Sequence, residues 1–90
     1  MAKKRVGVVL AGCGFLDGAE IHEAVLTLLS LDQRNAEVIC MAPNVDQMHV
    51  VNHSAGEPSE GELRNVLDES ARVARGEIRD IADVAADELD

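Results

Sequence analysis

Five residues near the start of the chain are of types that do chemistry: Gly12, Cys13, Gly14, Glu20 and His22. They fall at the join between an apolar run, Arg5–Ala11, and an amphipathic one beginning near Gly18. A carboxylate placed just past the end of a strand suits proton transfer, because open α/β sheets gather their sites at that edge. Glu20 holds that position, and its ordinary alternative is a carboxylate capping a helix. A thiol near a helix N-terminus can be activated as a nucleophile. Cys13 is so placed, but Asp17 and Glu20 oppose its ionisation, and a packed or redox-sensitive loop thiol is the competing reading. His22, in the same first turn as Glu20, is placed to line the crevice. Cys40 reads as a buried strand residue. His49 and His53 are four apart, but their segment has no helical pattern, so the spacing does not put them on one metal-binding face.

Gly12-Cys13-Gly14 with Gly18 spells G-x-G-x-x-x-G between a strand and a helix, a variant of the dinucleotide fingerprint. A pyrophosphate needs the helix's positive end free. Here Asp17 and Glu20 occupy it. The second strand ends in Cys40-Met41-Ala42, with no acid for a ribose. The glycines then read as a turn that lets backbone approach backbone, and no cofactor is called for.

The elements that must position these residues follow from periodicity. Arg5–Ala11 is apolar and β-branched, as a buried parallel strand requires. A first helix is expected over about Gly18–Leu31, capped by Asp17 with Glu20 three residues on. Ile21, Ala24, Val25, Leu28 and Leu29 form its apolar stripe. Ala36–Ala42, stopped by Pro43, is the second strand, giving a right-handed β-α-β unit. Met48–Val51 is a candidate short strand within a polar excursion, Asn44–Pro58. Ser59 and Glu62 have the spacing of a second capping box. Leu63, Val66, Leu67, Ala71 and Ala74 follow as a stripe, and Gly76 suits the position after a helix end. Glu77–Ile81 is expected to be extended and Asp83–Leu89 to hold a helical turn or two. The fold class is α/β: one incomplete domain over residues 1–90, with a further buried strand expected after Asp90.

Composition narrows the partners. The net charge is −9, which disfavours nucleic acid and anionic membranes as partners. Phe15 is the one aromatic residue, so the core must be aliphatic. No signal peptide or membrane-spanning run is visible. The two cysteines fit free thiols in a reducing compartment, cytoplasmic or, in a eukaryote, mitochondrial.

Three stretches carry a family resemblance: GVVLAGCGFLDGAEIHEAVLTLL, Val50-Val51-Asn52-His53 with Gly56-Glu57, and RNVLDESARVARGEIR over Arg64–Arg79. Together they resemble the N-terminal part of ElbB-type proteins, the isoprenoid biosynthesis glyoxalases of the ThiJ/PfpI, class I glutamine amidotransferase-like superfamily. The resemblance implies a flavodoxin-like, doubly wound parallel sheet. It implies cofactor-free chemistry on small α-oxoaldehydes. In that chemistry a cysteine thiolate at a strand-to-helix elbow adds to the aldehyde, and a glutamate matching Glu20, its pKa raised beside the thiol, shuttles the proton. Neither Cys13 nor Cys40 matches that nucleophile, so the resemblance places it outside these residues. Substrate-contacting positions would be Gly12, Cys13, Gly14 and His22. The competing class is a non-catalytic α/β module that assembles with copies of itself. The partners expected are thus a small aldehyde and either the remainder of the domain or a homo-oligomer.

Overall fold

The computed structural model describes residues 3–90. Its elements are β1 (Arg5–Val9), α1 (Ile21–Gln33), β2 (Glu37–Ala42), β3 (Val51–Asn52), β4 (Glu57–Pro58), α2 (Val66–Ala74) and β5 (Arg79–Asp80). Two short 3₁₀ turns, Ile81–Asp83 and Ala86–Glu88, follow. A three-stranded parallel sheet runs in the order β1-β2-β5, and β3-β4 form a separate antiparallel hairpin. The β1-β2 register pairs Val6 with Val38, Val8 with Cys40 and Val9 with Met41.

The strand order dictates the layering. Passing from β1 to β2 to β5 moves the sheet in one direction, and right-handed crossovers then put α1 and α2 on the same face. The two helices touch each other, and both touch β2. The thinnest dimension, 17 Å, is that of one sheet plus one helical layer. β2 is the central strand, and its C-terminal half, Cys40, Met41 and Ala42, is buried. Leu10, Ala24, Val50 and Val66 complete the buried apolar set.

Several boundaries differ from the sequence expectation for physical reasons. α1 begins at Ile21, and Glu20 is itself the N-cap. Asp17 does not cap it: that carboxylate turns the other way and accepts the Val51 amide hydrogen at 2.8 Å. Ser59 and Glu62 do not start α2, whose cap is Asn65, accepting from the Asp68 amide at 2.9 Å. The amides and carbonyls before it are engaged in pairing with residues 45–47: Gln47 N–H donates to the Arg64 carbonyl, and Val66 N–H to that of Val45, both at 2.8 Å. Leu63 therefore lies outside the helix and is exposed. On α1, Ala24 faces the sheet, while Ile21, Val25 and Leu29 are exposed on an adjacent face. One layer of strands covers only part of the stripe.

Expectations for the C-terminal third hold more closely. Arg75 and Gly76 both take positive φ, 57° and 84°, closing α2. β5 falls within the extended Glu77–Ile81 segment. Its partner edge is β2, so β1 keeps a free edge. Asp90 reaches that edge: its N–H donates to the Arg5 carbonyl at 2.9 Å, and its Oδ2 accepts from the Arg5 N–H at 2.8 Å.

Candidate active-site crevice

The loop from Leu10 to Glu20 leaves the C-terminal end of β1 and delivers Glu20 to the start of α1. Close packing of backbone on backbone shapes it. A side chain at Gly18 would put its Cβ 2.8 Å from the Ala11 carbonyl oxygen and 2.9 Å from the Cys13 nitrogen. Gly14 donates its N–H to the Ala19 carbonyl at 2.9 Å. Gly12, buried with φ +98°, donates its N–H to Ser70 Oγ of α2 at 2.7 Å. The glycine pattern thus serves loop closure, with the helix end given to a carboxylate.

Glu20 Oε2 accepts the Glu23 amide hydrogen at 2.8 Å, and Oε1 accepts that of His22 at 3.2 Å. The His22 Nδ1 lies 2.8 Å from Oε1. The His22 ring and the Glu23 amide hold the Glu20 carboxyl below the usual range. This reverses the raised pKa that the resemblance implied: the described residues stabilise the ionised form. Glu20 is thus held in its ionised form as the cap of α1.

Cys13 is half-buried and Cys40 buried, both as free thiols. Burial, with Glu77 nearby, pushes the Cys40 thiol up, which suits a packed residue and not a nucleophile. Cys13 lines a polar cavity of about 320 Å³ with Asp17, Gln47, His53, Arg64 and Glu69. Glu20, His22, Gly12 and Gly14 do not line it. The structure therefore groups Glu20 with His22 and sets Cys13 with Asp17 and His53. Among the described residues, no group of three or more His, Cys, Asp or Glu side chains is placed to hold a metal ion.

Two site residues were not singled out from sequence. Ser70, fully buried in α2, anchors the loop through Gly12. A serine within an amphipathic helix gives no such signal. Asp17 reads as a cap from its spacing alone. Nothing in the sequence signalled its buried position.

Parallel strand order, helices on one face, and a carboxylate beyond the end of β1 define an amidotransferase-like α/β domain, the N-terminal part of a flavodoxin-like fold. The comparisons make this specific. A solved isoprenoid biosynthesis protein with an amidotransferase-like domain from Ehrlichia chaffeensis superposes with a TM-score of 0.92 at 50% identity, covering 96% of this chain and 40% of that one. The human glutamine amidotransferase-like class 1 domain-containing protein 3, mitochondrial, is 58% identical over 82 residues, 91% of this chain and 31% of the relative. A mitochondrial ES1 protein homolog from Rattus norvegicus is 56% identical over 84 residues, 93% of this chain and 32% of the relative. No family model matches the chain. The chain belongs to the glutamine amidotransferase-like class 1, ElbB-type proteins. It spans about a third of the length of the curated relatives it matches.

Proposed function

We propose that the protein to which these residues belong is a cofactor-independent, glyoxalase-like enzyme acting on small α-oxoaldehydes, with Glu20 as its proton-shuttling carboxylate. The observation that carries this reading is the place of Glu20. It sits past the carboxyl end of β1, the strand with a free edge. In a doubly wound sheet, winding reverses at such an edge, and the crevice there receives the ligand. The wound direction β1-β2-β5 uses up one side of β1, so reversal falls on the other.

The chemistry needs a thiolate that Cys13 and Cys40 do not supply in this arrangement, so the nucleophile is assigned to a cysteine outside these residues. Thiolate addition to the aldehyde carbon, with a proton taken up on oxygen, gives a hemithioacetal. Glu20, ionised, accepts the proton from that carbon and leaves an enediol. It returns the proton to the neighbouring carbon, forming a 2-hydroxy thioester, which water hydrolyses to a 2-hydroxy acid and the free thiol. Oxidation of one carbon balances reduction of the next. Two amide donors and the His22 ring keep Glu20 ionised for the first step. The test is product analysis: the intact protein, given methylglyoxal and no cofactor in D₂O, should yield lactate carrying deuterium at C2. Methylglyoxal left unconsumed would reject the activity.

A second reading rests on the exposed apolar residues Val9, Ile21, Val25, Leu26 and Leu29. A patch of this kind needs cover, from the rest of the domain on the enzyme reading or from further copies on a self-assembling one. The relatives' names place those proteins in mitochondria, which favours the mitochondrial over the cytoplasmic location for a eukaryotic source. Among the described residues, no helix is long and apolar enough to cross a membrane.

A further inference from the structure

The cavity holding Cys13 contains a carboxylate with an unmet need. The Asp17 side chain is only 9% exposed. Its Oδ2 accepts the Val51 amide hydrogen at 2.8 Å, and its backbone carbonyl accepts from Gln47 Nε2 at 3.2 Å. Its Oδ1 is buried, and among the described residues it has no hydrogen-bond partner. A buried carboxylate oxygen left alone is costly. His53 Nε2 is 3.4 Å away, near enough to pair but not aligned as a hydrogen bond, on a ring that is half exposed and lines the cavity.

Gly14 makes this approach possible. A Cβ there would lie 2.5 Å from Asp17 Oδ1 and 3.5 Å from His53 Nε2. The first loop and the β3-β4 turn are thus brought together on the carboxylate. A carboxylate beside one ring nitrogen fixes the proton on that nitrogen and leaves the other as acceptor.

The charges around the cavity select what that acceptor can meet. Arg64 is already engaged, 2.8 Å from Glu62 and 2.9 Å from Glu69. With Asp17 this leaves three carboxylates against one committed guanidinium, so the lining repels anions. We propose that Asp17 and His53 form an oriented carboxylate–imidazole pair. The pair presents an acceptor nitrogen to a binding site for uncharged, hydroxyl-bearing small molecules. The ligand's hydroxyl donates to His53 Nδ1, and Asn52 and Ser59, which also line the cavity, supply further polar groups.

Nitrogen-15 NMR of the imidazole rings in the intact protein at neutral pH tests the pair without any variant. The neutral His53 ring should carry its proton on Nε2, whereas His49, which pairs with no carboxylate among the described residues, reports a mixed population. Asp17→Asn should move His53 toward the His49 pattern. Hydroxyacetone and lactate, titrated separately, test the ligand class. Hydroxyacetone should shift the His53 ring and the Cys13 amide, and lactate should bind at least tenfold more weakly. His53→Ala, at a half-exposed position, should weaken hydroxyacetone tenfold or more. Matching tautomer populations at His53 and His49 would overturn the pair. Equal binding of lactate, absence of hydroxyacetone binding, or hydroxyacetone binding unchanged in His53→Ala would overturn the site. Neither readout requires turnover, so the outcome is separable from the fate of the glyoxalase reading.

Discussion

Ser70 shows how much a single hydroxyl fixes at the residue scale. Its Oγ is the partner of the buried Gly12 N–H, 58 residues earlier in the chain. Ser70→Ala would leave that donor without water or protein to bond. We expect a loss of about 1–3 kcal/mol in stability, read as a lower denaturation midpoint with the helical signal of α2 retained. Gly18→Ala brings a Cβ against two backbone atoms that cannot swing aside. A cost of about 1–3 kcal/mol is expected from the strain, checked by the same denaturation experiment. Legibility differed among the residues of the crevice. The sequence pattern put Glu20 near the start of the first helix, but three residues inside a helix capped by Asp17, whereas Glu20 is itself the cap. Asp17 could not be placed, because Asp-x-x-Glu before a helix has the same spacing whether the Asp caps the helix or turns away. Only the Val51 amide, 34 residues on, decides between the two.

At the scale of elements, the start of α1 depends on the charge of Glu20. Its carboxyl is held below the usual range by the His22 ring and the Glu23 amide. A group whose folded pKa is depressed adds stability above its unfolded pKa. That stability is lost as pH falls through the folded value. The protection factors of the His22 and Glu23 amides, measured against their intrinsic exchange rates at each pH, should therefore be high at neutral pH and fall as pH drops below the ordinary carboxylate range. The contact between Arg5 and Asp90 should loosen in the same window, since Arg5 holds the Asp90 carboxyl down as well. β1, β2 and the existence of both helices were readable from apolar runs and 3.6-residue periodicity. The onset of α2 was not. Ser59 and Glu62 satisfy the capping pattern, but the pairing of residues 45–47 with residues 64–66 draws that backbone out of helical conformation. Long-range pairing overrode a local signal.

At the scale of the whole molecule, the strand order is the informative feature. β2 takes one side of β1 and β5 adds beyond β2, so among the described residues no strand pairs with the other side of β1. The sequence offered the parallel β-α-β unit but not this order, because nothing local distinguishes addition beside β1 from addition beside β2. The open apolar face on α1 and at Val9 gives a direct expectation for the 90 residues taken alone. They should self-associate and bind a dye for exposed apolar surface, whereas the intact protein should show little of either. Native mass spectrometry followed by denaturing mass of each component checks this. A well-folded monomer of the 9.6 kDa chain that binds no dye would show that the face needs no cover.

In the proposed reaction Glu20 moves the proton between adjacent carbons of an α-oxoaldehyde. The most direct test is the rate of methylglyoxal consumption by the intact protein and by its Glu20→Gln variant, compared at equal fold by circular dichroism. Loss of a general acid–base group should lower kcat by about 100-fold or more, with the spectrum unchanged. Turnover by Glu20→Gln at the unmodified rate would show that Glu20 does not carry the proton.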